Sequence, residues 1–320
     1  MANSNHTFVD LFSGIGGFRL ALEGHGFECL FSSEIDKFAR ETYIANFGAK
    51  NLFGDIRESK SFIPRADLLT AGFPCQPFSL AGVSKRNSLR RAHGFDDKES
   101  GNLFFEIESV IRATRPKAFL LENVRNLKSH DKGKTFSYMM KVLEEDLGYF
   151  VHHQIIDAAY FLPQHRERIF IVGFKKKTKF SFDNLCFPKK PKTLKSVLFP
   201  NSDVESKYTL SDDLWEYLKR YSEKHRRAGN GFGFGIVDRD RDLITRTLSA
   251  RYHKDGSEIL VRQRGGMNPR RLTPKECSSL MGFPKGFKIP VSDTQAYKQF
   301  GNSVAVPVIS AIVCELKKYL

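Results

Sequence analysis

A cysteine between two prolines is the residue in this chain best suited to nucleophilic chemistry. Cys75 stands in the run DLLTAGFPCQPFS, where the apolar residues 68–73 have the length of a buried strand. Pro74 and Pro77 prevent a regular element from continuing, because proline fixes φ and lacks a backbone N–H. A thiol at the carboxyl end of a parallel strand lies where open α/β sheets gather reacting groups. The alternative is a small buried hydrophobe, the usual role of a free cysteine.

Two other predicted strands also end in residues that can take part in chemistry. VDLF runs into the glycine turn SGIGG at residues 13–17, and AFLL runs into ENV, whose carboxylate is Glu122. The carboxyl ends of parallel strands share one edge of a sheet, so we expect Cys75, Glu122 and the glycine turn to converge. A solvated carboxylate is the alternative for Glu122.

The glycine turn has the features of a ligand-binding loop. Glycines let backbone N–H groups approach a ligand closely, and the following helix adds favourable electrostatics. Glu34, about 20 residues further on, stands where such folds bind the ribose hydroxyls of an adenosine. Arg19 occupies the place of the third glycine of the nicotinamide fingerprint, so that fingerprint fails. Asp55 is a second candidate, for the adenine amino group. The alternatives are a tight βα turn and a loop cap.

Composition and charge indicate the kind of partner. The net charge is +15 and the pI is near 9.6, which favours a polyanion such as nucleic acid. The sequence lacks the run of about 18 uncharged apolar residues that would predict a membrane span, and its first residues lack a signal pattern. We therefore expect a cytoplasmic protein. The five cysteines are widely spaced, form no zinc pattern and are expected to be free thiols.

A pair of arginines precedes the last predicted strand of the sheet. The run PQHRER leads into IFIVGF, and a period of two would put Gln164, Arg166 and Arg168 on one face. A short connection to the preceding strand, predicted at residues 150–157, favours antiparallel pairing. That pairing would bring both arginines to the edge that holds Cys75 and Glu122. Surface ion pairs are the alternative.

Two cationic segments are candidates for nucleic-acid contact. Residues 80–102 predict a flap that begins near Cys75 and touches phosphates, with a solvated loop as the alternative. Beyond a boundary near residue 180 the chain predicts an irregular, β-rich and basic module suited to a DNA groove, or else a basic structural insertion. Arg251, Gln263 and Arg264 are its candidate base readers.

The order of the motifs resembles a known family over nearly the whole chain. DLFSGIGG, GDI, GFPCQPFS, ENV, QHRER, RRLTPKE and FGNSV follow one another as in the DNA (cytosine-5)-methyltransferases. The resemblance implies an α/β fold with a Rossmann-like sheet, mostly parallel with its last strand antiparallel, and a smaller β-rich target-recognition domain. It implies a catalytic and cofactor-binding domain over residues 1–180, the target-recognition domain over 181–285, and a segment 286–320 that returns to the first.

The resemblance also assigns roles. Cys75 would be the nucleophile that adds to C6 of a flipped-out cytosine, Glu122 would contact the ring, and Arg166 and Arg168 would support the base and the cysteine. The implied S-adenosylmethionine site comprises Phe12, Ser13, Gly14, Ile15, Gly16, Gly17, Glu34, Ile35, Asp55 and Asn302. The substrate-binding candidates are Ser79, Gln164, Arg251 and Arg264. Some relatives have an aromatic residue where this chain has Ile35, so the adenine contact is expected to be apolar packing.

The implied partner is double-stranded DNA, bound by a monomer. The module resembles those of methylases that act within CC…GG sites, and a restriction endonuclease of the same specificity is left open. Two other functions compete with this interpretation. An RNA cytosine methyltransferase would use a similar set of residues, and a silent DNA-binding protein would share the fold without transferring a methyl group.

Overall fold

The computed structural model describes residues 6–73, 103–190, 192–230 and 233–320. Cys75, Ser79 and the predicted flap 80–102 therefore lie outside the described residues. Within the described ranges, seven strands form the central sheet: β1 Thr7–Leu11, β2 Glu28–Ser33, β3 Leu52–Phe53, β4 Leu68–Gly72, β5 Ala118–Val124, β6 Phe150–Asp157 and β7 Glu167–Phe174. Their order is β3-β2-β1-β4-β5-β7-β6.

The direction of the strands follows from the connections between them. From β3 to β5 all neighbours pair in parallel, whereas β7 runs antiparallel to both β5 and β6. The short link between β6 and β7 leaves no room for the crossover helix that a parallel pair would need. The predicted Rossmann-like sheet with an antiparallel last strand is confirmed.

Helices cover the sheet and continue into the second half of the chain. They are α1 Gly17–Gly24, α2 Lys37–Phe47, α3 Ile56–Ser59, α4 Leu103–Thr114, α5 Lys134–Lys141, α6 Leu194–Val197, α7 Asp212–Arg227, α8 Pro274–Leu280, α9 Asp293–Asn302 and α10 Val306–Leu316. Side chains cap several of these helices. Asp36 accepts a hydrogen bond from Ala39 N at the start of α2, and Thr273 and Glu276 form a capping box at the start of α8.

Both faces of the sheet are buried, as expected for parallel strands between helices. One face carries Phe8, Leu68 and Leu120, which pack with α1, α10 and the segment that follows β7 as far as Leu185. The other carries residues such as Leu69, which pack with α4 and α5. Successive side chains of each strand thus enter two different cores, and the polar residues with functional roles are left at the strand ends.

The segment between α6 and α8 forms the second part of the structure. Its regular β-structure in the described residues is limited to β8 Ile236–Val237, β9 Leu260–Val261 and isolated bridges. It holds less strand than the predicted β-rich module, because its long-range backbone bonds, such as that of Leu210 N to Pro269 O, are scattered and do not extend into ladders. Its core is continuous with α9 and with Ile15 of the glycine turn.

The C-terminal helical run returns to the first half of the chain. Asp293–Tyr319 is long enough to span a membrane and contains an 18-residue window with a mean hydropathy of 1.4. However, 67% of that window is buried inside the protein. Residues 303–305 interrupt the run, and α10 packs against α1. The apolar side chains of this run therefore belong to the hydrophobic core of the protein.

Candidate active site

The ends of β4 and β5 lie side by side at the carboxyl edge of the sheet. Gly72 pairs with Glu122, and a Cβ on Gly72 would stand 3.8 Å from Glu122 Oε2. Asn123 Nδ2 donates to the carbonyl oxygen of Phe73 at 2.9 Å, and its Oδ1 accepts from Val124 N at 2.8 Å. Asn123 is 2% exposed. This buried amide therefore fixes the backbone where the chain leaves β4, two residues before Cys75.

Glu122 is buried against an arginine of the neighbouring strand. Arg168 Nε lies 3.1 Å from Glu122 Oε1, because Arg168 pairs with Val124 at the start of β7. Burial raises the pKa of Glu122, and the positive charges of Arg168 and Arg166 act against this rise. The predicted convergence of Glu122 and the arginines is therefore present in the structure. The carboxyl is placed to be either a proton donor or a charged acceptor.

Arg166 joins three distant parts of the chain. Its guanidinium donates to Leu248 O at 2.9 Å, to Gly301 O at 3.0 Å and to Ser303 O at 2.6 Å. The residue is 2% exposed, and its Nε has no partner in the described residues. Burial lowers the pKa of Arg166 to about 9, and the positive charge of Arg168 adds to the effect. Arg166 therefore keeps its charge at neutral pH and still holds one free donor.

Gln164 lies just before β7 rather than on the strand. Its Nε2 donates to Leu280 O at 3.2 Å, and its Oε1 accepts from Leu248 N at 2.8 Å. It is fully buried. These bonds tie the β6–β7 connection to α8 and to the basic module, while the predicted contact of Gln164 with substrate stays a prediction.

The glycine turn after β1 adopts the open shape that a ligand loop needs. Phe12, Gly14 and Gly16 have positive φ angles of 57, 54 and 85°. A Cβ on Gly14 would meet no atom within 4 Å, so this residue borders open space. Gly16 caps α1 without a side-chain bond, which leaves the N–H groups of the first turn available. These features fit a ligand with polar groups above the carboxyl edge.

Glu34 and the adjoining residues form one side of this space. Glu34 Oε2 accepts from Gly14 N at 2.8 Å and Oε1 accepts from Asp36 N at 2.8 Å. Each oxygen keeps a lone pair for a ligand hydroxyl. Burial raises the pKa of Glu34. Ile35 next to it is 67% exposed, so an apolar side chain faces solvent beside the loop.

The remaining predicted cofactor residues differ in their surroundings. Asp55 caps α3 through Arg57 N and forms an ion pair with Arg57, which lowers the pKa of the carboxyl. The cap considered as an alternative for Asp55 is thus present. Asn302 is exposed at the end of α9. The adjoining segment packs on the glycine turn, since a Cβ on Gly17 would stand 2.7 Å from Val304 Cγ2.

The candidate base readers lie in the basic module. Arg251 and Arg264 are exposed, whereas Gln263 Nε2 donates to Thr209 Oγ1 and to Asn268 O at 2.9 and 2.8 Å. The amide of Gln263 is therefore engaged within the module.

Sequence reasoning missed two polar groups at this edge. Asn123 stands inside the ENV motif, and its place beside Glu122 is the signal that could have identified it. Asp157 ends β6 and accepts from Arg166 N at 2.8 Å, with His165 Nδ1 2.8 Å from its other oxygen. No local pattern marks that contact.

Comparison with known proteins gives the family. The model of the C-5 cytosine-specific DNA methylases matches residues 6–318. The DNA-cytosine methyltransferase of Escherichia coli K12 is 48% identical over an aligned length of 361 residues. The alignment covers 95% of this chain and 76% of that protein. The Type II methyltransferase M.DsaV of Dactylococcopsis salina is 50% identical over 318 residues, covering 98% and 86% of the two chains.

Solved structures agree on the fold. The Entamoeba histolytica methyltransferase EhMeth superposes with a TM-score of 0.74 at 21% identity, covering 99% of this chain and 98% of its own. A putative DNA modification methyltransferase of an Escherichia coli prophage gives a TM-score of 0.68 at 22% identity, covering 98% and 99%. Together with the matched family model and the edge formed by Glu122 and Arg168, these likenesses establish that the chain belongs to the C-5 cytosine-specific DNA methylases and is a DNA cytosine methyltransferase.

Proposed function

We propose that this enzyme moves a methyl group from S-adenosylmethionine to C5 of a cytosine flipped out of duplex DNA, through a covalent bond between Cys75 Sγ and C6. The observation that carries the proposal is the ion pair of 3.1 Å between Arg168 and Glu122 beside Gly72. Cys75 follows Phe73 by two residues, and two residues span at most about 7 Å. Chain connectivity therefore limits how far Cys75 can lie from the end of β4, where Gly72 pairs with Glu122.

The chemistry requires both groups. C5 of cytosine is too weak a nucleophile to accept a methyl group directly, whereas addition of a thiolate at C6 pushes electron density onto C5. Glu122 would protonate or hydrogen-bond N3 and so stabilise the charge that develops on the ring. Its raised pKa supports the donor role, because the neutral carboxyl then persists to higher pH.

The arginines would have separate tasks. A free thiol with a pKa near 8.5 is only about a few per cent ionised at neutral pH, so nearby positive charge favours the thiolate. Arg168 already pairs with Glu122, and Arg166 Nε, which has no partner among the residues that the structure describes, would donate to the base. Ser79 is proposed to close behind the flipped cytosine, and Gln164 to hold the base pocket. Water is a candidate for removal of H5.

The cofactor would occupy the open side of the glycine turn. The backbone of residues 12–17 and the start of α1 would contact the methionine part, Glu34 would accept from the ribose hydroxyls, and Ile35 and Asp55 would border the adenine. Asn302 would close the site from the C-terminal segment. S-adenosylmethionine supplies an electrophilic methyl group, and these residues only bind and orient it.

The basic half of the chain would select the site. We divide the protein into a catalytic part at residues 1–180, a target-recognition part at 181–285 and a returning segment at 286–320. Arg251 and Arg264 are proposed to contact bases of a CC…GG site, with flipping costing a few kcal/mol that the pocket contacts offset. We further propose a monomer in the cytoplasm, accompanied by a restriction endonuclease of the same specificity.

Substitution at Cys75 and Glu122 tests the mechanism. Cys75→Ala should abolish transfer of a labelled methyl group while DNA binding persists, and duplexes with 5-fluorocytosine in the target should trap the wild-type protein covalently.

Glu122→Gln should lower turnover by about 10²-fold or more. The wild-type rate should fall as the pH rises through the raised pKa of Glu122, since donation needs the neutral form.

The control measurements separate this mechanism from its competitors. Cofactor affinity, measured by calorimetry, should be unchanged in Glu122→Gln. Bisulfite sequencing of DNA from expressing cells identifies the methylated cytosine and hence the site. Methylation of tRNA but not DNA, or an adduct on a residue other than Cys75, would refute the proposal.

A further inference from the structure

An exposed histidine lies where the catalytic edge of the sheet meets the basic module. His165 stands three residues before Arg168, which pairs with Glu122. Because β7 runs antiparallel to β5, its first residues lie at the same edge as the carboxyl ends of β4 and β5. The His165 side chain is 63% exposed, so it borders solvent at the active-site edge.

Its backbone is held by the basic module. His165 N donates to Thr245 O at 2.9 Å, and Thr247 Oγ1 donates to His165 O at 2.5 Å. Gln164 forms a parallel bridge with Thr245. The residue thus lies where the sheet and the basic module meet, and both are proposed to contact DNA.

Its ring is held by Asp157. His165 Nδ1 lies 2.8 Å from Asp157 Oδ2, and Asp157 Oδ1 is itself fixed by Arg166 N at 2.8 Å and Ala159 N at 3.0 Å. With Nδ1 engaged, Nε2 is the ring nitrogen left for another partner. In its protonated form the imidazole presents a directed, positively charged N–H group at Nε2.

We propose that His165, oriented by Asp157, binds a backbone phosphate of the DNA substrate beside the flipped cytosine. This proposal rests on the DNA binding proposed above for the same edge. A phosphate suits the site better than a base edge, because Asp157 fixes the ring near the edge that holds Glu122 and outside the module that is proposed to read the bases. The alternative is a surface ion pair, which contributes little.

The surroundings of the ring leave it available to an anion. Among the described residues, Asp157 is the charged group bonded to this imidazole. The module contributes the neutral Thr245 and Thr247, and the next strand residue, Glu167, is paired with Arg125.

Equilibrium binding of the full chain to a short duplex that carries the site found by bisulfite sequencing tests this, because the contact is proposed beside the flipped cytosine. His165→Gln should weaken binding about fivefold, the upper range of one exposed charge interaction. The slope of log K against log salt should fall in magnitude by about 0.9, the loss of one phosphate contact.

Two further variants keep the test decisive. His165→Lys supplies a cation at this position and should keep the salt slope that His165→Gln loses. Lys175→Gln, an exposed cation after β7 at the opposite edge of the sheet, should leave both slope and affinity unchanged. The inference fails if His165→Gln keeps the wild-type slope and affinity. If the wild-type protein binds no duplex, the proposed function fails instead.

Discussion

Asp10 is a carboxylic acid in the interior of the sheet. It is 0% exposed on β1, where it accepts from Thr70 Oγ1 at 2.8 Å, and its Oδ2 has no partner within the described part of the chain. Burial raises the pKa of Asp10 to about 7, with the charge of Glu34 adding to the rise and Thr70 and Arg19 opposing it. Asp10 stands two positions before Phe12, so its charge would act close to the predicted cofactor loop.

This pKa makes a prediction for stability against pH. A folded-state pKa raised from about 4 means that the folded protein holds the proton more tightly than the unfolded chain. Asp10 therefore makes its whole contribution to the free energy of unfolding at low pH. This contribution is lost as the pH rises from about 4 to about 7. The loss is on the order of 4 kcal/mol. Asp10→Asn should flatten urea-unfolding stability between about pH 5 and 8, whereas the exposed control Asp203→Asn should keep the wild-type slope.

At the level of elements, the sequence predicted those structures whose signals are local. The bounds of β6 agree with the strand predicted at residues 150–157. β7 begins at Glu167, within the PQHRER motif but after Gln164 and Arg166, because these two side chains bond to backbone 82 to 137 residues away. Such partners leave no trace in a local periodicity.

The residues of the candidate site also differ in whether the sequence alone could predict their contacts. Glu122 and Arg168 were predicted together because strand order alone brings them to one edge. The buried clamp of Asn123 and the contact of Asp157 with His165 depend on atomic positions that no spacing encodes. In the basic module, a fully buried ion pair between Arg270 and Glu276 fixes the fold where strands were expected.

This ion pair predicts a large effect of one substitution. Glu276 accepts two bonds of 2.9 Å from Arg270 and also holds Phe199 N and Thr273 N at 2.7 and 2.8 Å. Glu276→Gln leaves a buried guanidinium uncompensated, so we expect a loss of about 3–5 kcal/mol in urea unfolding.

A double variant and an exposed pair are the controls. Replacing both partners, Arg270→Met with Glu276→Leu, should cost less than the single change, because no charge stays buried. The exposed pair of Glu223 with Arg226 should matter little, so Glu223→Gln should unfold near the wild-type midpoint. Equal losses from Glu276→Gln and Glu223→Gln would show that burial of the pair is unimportant.

At the scale of the whole molecule, three parts of the chain meet around Arg166. Its guanidinium holds Leu248 of the basic module and both Gly301 and Ser303 of the C-terminal segment. Gly301 permits this meeting, because a Cβ there would lie 2.3 Å from Ser249 C and O and 2.4 Å from Ala250 N. The backbone of the module thus rests directly on α9, beside the predicted cofactor residue Asn302.

Gly301→Ala should therefore disturb the whole assembly although alanine is the better helix former. Helix propensity alone would favour the variant by about 1 kcal/mol. The clash is with backbone, which cannot rotate away, so we expect a net loss of about 1–3 kcal/mol in unfolding together with weaker binding of both S-adenosylmethionine and DNA. Gly286→Ala, where a Cβ meets nothing within 4 Å, should change none of these quantities. If Gly301→Ala bound DNA normally and lost only cofactor affinity, the contact with Ser249 would be local to α9 and would not join the module to the sheet.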